Sequence, residues 1–407
     1  MEINFINKPK TKNNLEIKFT NNNPIVTINI KNMSNYEIDE SIKSISKFLT
    51  KDITVNFTNI DDKESKNLLL KLDNISYNYM SPRKLNIPSK FEDIIKEVED
   101  YKRIVIEPNK HQETMLKYFI KKIPKNYTYK KFNVGMDDKD FPLVSAVGRG
   151  SSRKSYFLHI YPKKHNKNWD DIFLIGKCVT FDSGGMNIKI RSMEEMKTDM
   201  AGSAILIGVL NMTHNLEKNI NLLLPIVENY IGSKATRPST VIETINGTTV
   251  EITDTDAEGR LIIADALEYF NRYLYNKELK NPFILDIATL TGNVYQITCS
   301  TSCVITGNKR AKKYINKLFD CGEETKEFID ILVLRENYVK SLDSKVADIK
   351  NWSPKCRAGC LVGAAFIDYF VKKSIPWIHM DIASVVYNNE VVSSYGINLL
   401  TNFLKSI

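Results

Sequence analysis

Short apolar runs alternate with polar stretches of helical spacing along the whole chain. In the first hundred residues LEIKF, PIVTINI and ITVNF read as strands, and the stretches near 36–49 and 62–72 read as helices. FEDIIKEVEDY is a charged helical stretch ahead of RIVIEPNK, and a domain boundary is placed near residue 100, dividing the chain into 1–100 and 101–407. Beyond it, LVSAVGRGSS and SYFLHIYP predict two strands joined by a tight glycine turn.

DIFLIGKCVTF is almost continuously apolar, as a strand buried on both faces of a parallel sheet should be. Lys177 interrupts it, either snorkelling to the surface or held where its amine is used. A long helix is predicted from Met193 to about Met212, with Asp199 among Met196, Met200, Ala204 and Leu206. An acid buried there is costly unless it is paired or bound to a metal.

The strand INLLLPIVEN follows, then a loop with Gly232 and Pro238, a short strand at TTVEI and a helix from Leu261 through Tyr275. FILDIATL and PWIHMDIAS read as further strands, Ala311 to about Ile329 as a helix, and a last helix begins near Ala358 after a loop with Trp352 and Pro354. The fold class is α/β: a small N-terminal α/β domain plus a larger C-terminal α/β domain with a mostly parallel central sheet flanked by helices.

Composition narrows the classes. Hydrophobic residues make up 43% and charged residues 26%, ordinary for a soluble globular protein, and no run of eighteen apolar residues occurs. A cytoplasmic protein with no membrane span is expected. The net charge of +9 leaves nucleic-acid binding open, but the lysines are scattered beside asparagines without an aromatic-interleaved stripe, so a solvated surface is the preferred reading. Six cysteines, at 178, 299, 303, 321, 356 and 360, lack the spacing of zinc ribbons and are read as reduced thiols. His111 and His159 are read as surface or core residues, and His379 as a buried strand histidine bonded to a carbonyl.

Two polar stretches break this pattern. Thr253-Asp254-Thr255-Asp256-Ala257-Glu258-Gly259-Arg260 sets carboxylates two residues apart ahead of a helix, and capping explains such an opening on its own. About seventy residues upstream, Lys177, Asp182, Lys189 and Asp199 surround a glycine turn. Asp182, Asp199, Asp256 and Glu258 gathered in an interior would repel one another unless cations intervene, and Mg²⁺, Mn²⁺ or a hydrolytic Zn²⁺ pair suits such an oxygen-rich set.

GKCVTFDSGGMNIK, MKTDMAGSA, DTDAEGRLIIADAL, DIATLTGN and WIHMDIA, in that order, closely resemble the leucine aminopeptidase (cytosol aminopeptidase) family over roughly residues 103–407. The resemblance implies a two-metal exopeptidase acting on peptides, with leucine-like N-terminal residues preferred, and a homohexamer. It implies one ion on Lys177, Asp182, Asp199 and Glu258 and a second on Asp182, Asp256 and Glu258, with Zn²⁺, Mn²⁺ or Mg²⁺ as the metal. Lys189 would polarise the scissile carbonyl, and Arg260 would hold a bicarbonate general base. Met196, Thr289, Gly292, Ala383 and Val386 fall where the family forms its first side-chain pocket.

The chain departs from the family pattern at Asp254, usually Asn, at Cys178, usually Gly, at Ile190, usually Pro, and at Ser384, usually Gly. Two other classes are carried beside this one: an idle homologue serving as an oligomeric scaffold or DNA-binding protein, and another dinuclear hydrolase such as a phosphatase.

Overall fold

In the computed structural model the described residues are 2–6, 15–20, 23–30, 33, 35–45, 53–76, 85–276, 278–388 and 391–407. Their contacts divide the chain into two units, residues 1–103 with 389–394, and residues 104–388 with 395–407.

The first unit carries β1 (Glu2–Ile6), β2 (Leu15–Thr20), β3 (Asn23–Asn29), α1 (Asn35–Ser44), β4 (Ile53–Thr58), α2 (Asp62–Ser76), β5 (Leu85–Asn86) and most of α3 (Glu92–Ile106). Its sheet runs β2-β3-β1-β4-β5, with only β2 antiparallel to its neighbour. Alternation in β1 buries Ile3 and Phe5 against Val26, Ile28 and Val55, as period-2 patterning requires. The helix expected over 36–49 is observed to Ser44, and 46–49 lie outside the described residues. RIVI continues α3, so the division between the units falls inside that helix.

The second unit comprises α4 (Gln112–Lys121), β6 (Tyr127–Val134), α5 (Pro142–Gly148), β7 (Ser155–Pro162), β8 (Asp170–Gly176), β9 (Cys178–Asp182), α6 (Ala201–Thr213), β10 (Lys218–Asn229), β11 (Thr240–Glu243), β12 (Thr249–Ile252) and α7 (Gly259–Tyr269). It continues with β13 (Phe283–Ala288), α8 (Asn293–Thr298), β14 (Cys303–Gly307), α9 (Lys312–Thr325), β15 (Ile329–Ile331), α10 (Glu336–Lys340), β16 (Ile349–Lys350), α11 (Gly359–Phe370), β17 (Trp377–Asp381), α12 (Ala383–Val386) and α13 (Ile397–Ser406). The large sheet is ordered β15-β14-β17-β13-β8-β10-β7-β6, with β9 also on β10. Its centre, β17-β13-β8-β10 with β9, is parallel, and antiparallel ladders join β14 to β17 and β10 through β7 to β6.

Phe173, Ile175, Ile284 and Trp377 point to one face and pack with α5, α7 and α11. On the other face α6 lies along β8 and β13, backed by α13, which also meets α9. Helices on both faces explain the near-continuous apolar runs of the central strands. No helix of the described residues is long and apolar enough to cross a membrane.

The structure corrects several expectations. LVSAVG is a helix, α5, not a strand. Pro142 presets its first turn, Asp138 Oδ1 accepts from the Phe141 N–H at 3.0 Å, and Asp265 Oδ2 on α7 accepts from the Val144 N–H at 2.7 Å. DIFLIGKCVTF is two strands broken at Lys177, whose N–H donates to Ile287 O and whose carbonyl accepts from Ser203 N–H, each at 3.1 Å. The single helix expected from Met193 is a 3₁₀ segment, Met193–Thr198, then Asp199 and Met200, then α6. Asp199 O accepts from the Val179 N–H at 3.2 Å, which draws the break onto β9. The helix expected from Ala311 to about Ile329 ends at Thr325, where Lys326 turns left-handed, and Ile329 already opens β15.

Candidate active site

The groups singled out in the sequence converge at the C-terminal ends of the parallel strands, where open α/β sheets place their ligands. Lys177 follows β8, Asp182 ends β9, Asp199 sits in the break before α6, and Asp256 and Glu258 lie in the loop entering α7. Gly184 and Gly185, at φ +83° and +63°, turn the chain after Asp182 so that Lys189 folds back over it. The Asn187 N–H donates to Thr255 Oγ1 at 2.8 Å and the Thr255 N–H to Asn187 Oδ1 at 3.0 Å, tying the two loops together.

Lys177 Nζ lies 2.8 Å from both Asp199 Oδ1 and Glu258 Oε1, and donates to Thr289 O at 3.0 Å. Lys189 Nζ lies 2.8 Å from Asp182 Oδ2 and 2.5 Å from Asp256 Oδ1. Asp182 Oδ1 accepts from the Gly184 N–H at 2.9 Å and from Asn229 Nδ2 at 2.8 Å. One carboxylate oxygen from each of Asp182, Asp199 and Glu258 lies within 4.8 Å of the others.

Burial, then the neighbouring carboxylates Glu258 and Asp182, pushes the Asp256 acid up to about 7 against the pull of Lys189. Burial raises Asp182 and, more strongly, Asp199. Burial alone would raise Glu258 as well, but Lys177 and Lys189 outweigh it and hold that acid low. Burial would lower both lysines, yet Asp199 and Glu258 around Lys177, and Asp182, Glu258 and Asp256 around Lys189, hold both ammonium groups above the usual range.

These residues fit a divalent-metal centre. Asp199 Oδ2 and Glu258 Oε2 are buried and have no hydrogen-bond partner, an expensive state for a carboxylate and one a cation relieves. The donor set is oxygen with one amine, and neither histidine nor thiolate enters it.

Arg260, 4% exposed, donates from Nη1 to Asn351 O at 2.7 Å and leaves its buried Nε unpartnered. That donor is of the kind a small anion takes. Burial lowers the Arg260 group to about 10, against Glu258, Asp254 and Asp381.

Of the residues the resemblance assigns to the side-chain pocket, Thr289 also reaches the acidic cluster: its Oγ1 donates to Asp199 Oδ1 at 2.7 Å. Gly292 is exposed, Met196 and Ala383 are half-buried, and Val386 is buried. His379 bonds not to a carbonyl but to a carboxylate, its Nδ1 lying 2.5 Å from Asp286 Oδ1, directly across from it in register. His159 is a core residue, with Nε2 at 3.1 Å from Asn221 Oδ1. The cysteines of the described residues are all free thiols.

Sequence reasoning missed Asn351. Its Oδ1 accepts from the N–H groups of Thr253 at 2.8 Å and Asp254 at 3.2 Å, and its Nδ2 donates to Asp254 O at 2.6 Å and Ala257 O at 3.3 Å. Nothing near Asn351 in the chain signals this. Asn229, the polar end of INLLLPIVEN, was the readable counterpart.

The sequence profile described as "Cytosol aminopeptidase family, catalytic domain" matches residues 96–401. Among curated relatives, a "Probable cytosol aminopeptidase" of Protochlamydia amoebophila is 36% identical over 285 residues, covering 67% of this chain and 55% of that protein. One of Buchnera aphidicola is 38% identical over 282 residues, covering 67% and 54%. The chain thus spans about half the length of the curated relatives it matches. Among solved structures, "Bottromycin maturation enzyme BotP in complex with Mn" superposes with a TM-score of 0.84 over 100% of this chain and 99% of its own, at 18% identity, a likeness of fold.

Proposed function

The chain belongs to the cytosol aminopeptidase family, and from that premise we propose that it is a metal-dependent aminopeptidase removing single N-terminal residues, leucine-like ones preferred, from peptides. The observation that carries this reading is the buried group of Asp182, Asp199 and Glu258, with two orphaned carboxylate oxygens and Lys177 among them.

Lys177, Asp182, Asp199, Asp256 and Glu258 would hold two divalent ions, Zn²⁺ or Mn²⁺ and in some conditions Mg²⁺, which supply Lewis acidity and activate water. The Mn named with the BotP structure supports a manganese form. Lys189 directs its ammonium to the scissile carbonyl oxygen, where charge grows in the transition state. Arg260, through its buried Nε, would hold a bicarbonate, which would supply a general base for the reaction. Thr289, Gly292, Met196, Ala383 and Val386 supply a small apolar surface for the first side chain. The assembly proposed with this activity is a homohexamer in the cytoplasm.

The test is release of free leucine from a leucyl peptide by the purified chain, abolished by a chelator and restored by Mn²⁺ or Zn²⁺. Lys189→Ala should keep its metal and lose rate. Wild-type protein that binds metal yet leaves every aminoacyl substrate intact would refute the reading.

A further inference from the structure

Asp381 ends β17 with no exposed surface, and nothing above gives it a role. Its Oδ1 accepts from the Leu290 N–H at 3.0 Å and the Ala383 N–H at 3.2 Å, and its Oδ2 accepts from Thr291 Oγ1 at 2.7 Å. One carboxylate therefore ties together the loop after β13 and the start of α12. The next residue adds a strut, since the Ile382 N–H donates to Ala288 O at 2.8 Å.

The loop held in this way is the one that touches the ligands. Thr289 precedes the Leu290 and Thr291 anchors; its carbonyl oxygen accepts from Lys177 Nζ at 3.0 Å and its Oγ1 donates to Asp199 Oδ1 at 2.7 Å. Of three consecutive residues, the first thus faces the candidate metal ligands and the next two are held by Asp381. A shift at Leu290 carries over to Thr289, because planar peptides leave only two soft torsions per residue between them.

We propose that Asp381 is a positioning residue: it locks the 289–291 loop so that Thr289 sets Lys177 and Asp199 for metal, and it joins that loop to Ala383 of the proposed substrate pocket. This rests on the aminopeptidase reading for the pocket alone; the bracing of the ligands stands apart from it. Asp381 touches neither ligand, so its effect travels through Thr289, as outer-shell partners of metal ligands commonly act.

The test compares the wild-type chain with Asp381→Ala, Asp381→Asn and Thr291→Val. Binding of Mn²⁺ is measured by calorimetry, exchange of the Leu290 amide by mass spectrometry, and kcat and KM on leucyl and alanyl amides. Asp381→Ala should weaken Mn²⁺ binding by roughly 10–100-fold, speed Leu290 exchange, and raise KM more for leucyl than for alanyl substrate. Asp381→Asn should recover most of the Mn²⁺ affinity, because its amide oxygen still accepts from Leu290 and Ala383.

If Asp381→Ala does not fold, Thr291→Val, which removes only the Oδ2 bond, should show a smaller loss in the same direction. A folded Asp381→Ala with wild-type Mn²⁺ affinity and exchange overturns the proposal, as does Asp381→Asn behaving like Asp381→Ala. Wild type that takes up Mn²⁺ but cleaves no aminoacyl amide refutes the proposed function while leaving the affinity and exchange comparisons intact.

Discussion

A Cβ placed on Gly259 would stand 2.7 Å from Lys177 Nζ, inside the distance any real Cβ tolerates. Gly259 opens α7 without a left-handed backbone, so it is glycine for space and not for conformation. Gly259→Ala should displace the lysine from Asp199 and Glu258, lowering metal affinity and activity by roughly 10–100-fold. The helix should lose nothing, since Ala is favoured over Gly in helices by about 1 kcal/mol. Calorimetry with Mn²⁺ beside a thermal melt checks this; an alanine variant with unchanged metal affinity contradicts it.

Asn351→Ala should destabilise the protein by about 2–4 kcal/mol, because the part-buried N–H groups of Thr253 and Asp254, the Asp254 carbonyl and the buried Ala257 carbonyl lose their partner at once. Asn351→Asp should fare no better: it keeps the acceptor, loses both donated bonds and sets a carboxylate toward the Asp254 and Ala257 carbonyls. Urea unfolding of the two variants decides, and a loss under about 1 kcal/mol for either would show that the loop holds itself.

The residues that converge at the candidate site were legible because carboxylates and lysines are out of place beside apolar strand runs. The element order was legible for the same reason, since strands buried on both faces write long apolar runs. What failed was local shape near the site. The break at Lys177 and the break at Asp199 are one event, made by backbone bonds among Lys177, Ile287, Ser203, Val179 and Asp199 that span over a hundred residues of chain. LVSAVG reads as a strand in sequence because a short, mostly apolar run fits either period, and the carboxylate that takes the Val144 N–H, Asp265, lies far downstream.

In the first unit the Lys102 ammonium pairs with the Asp73 carboxylate, their side chains 0% and 3% exposed. Burial, and then Asp73, pushes the neighbouring Glu99 acid up to about 7. Lys102→Met alone should cost about 3–5 kcal/mol by leaving a buried carboxylate without its cation, whereas pairing it with Asp73→Leu should recover most of that loss. A double-mutant cycle by denaturant unfolding measures it, and equal stabilities for the single and double variants would refute it.

Stability should also carry the signature of His159. Burial pushes this imidazole down to about 4 from its ordinary 6.5, with Lys130 adding to the effect and the Asn221 bond opposing it. The folded value lies below the unfolded one, so between them the unfolded chain binds more protons. Stability from this group is therefore full above about 6.5 and lost as the pH falls toward 4. The displacement is worth about 3 kcal/mol in all. His159→Gln keeps a polar side chain beside Asn221 and has no proton to gain, so its stability relative to wild type should rise by up to that amount as the pH falls from 7 to 4.5. Other acids titrate in the same range, but equally in both proteins, and cancel in the difference. Unfolding curves for the two proteins that run parallel across this window would mean that His159 is protonated within the fold at no cost.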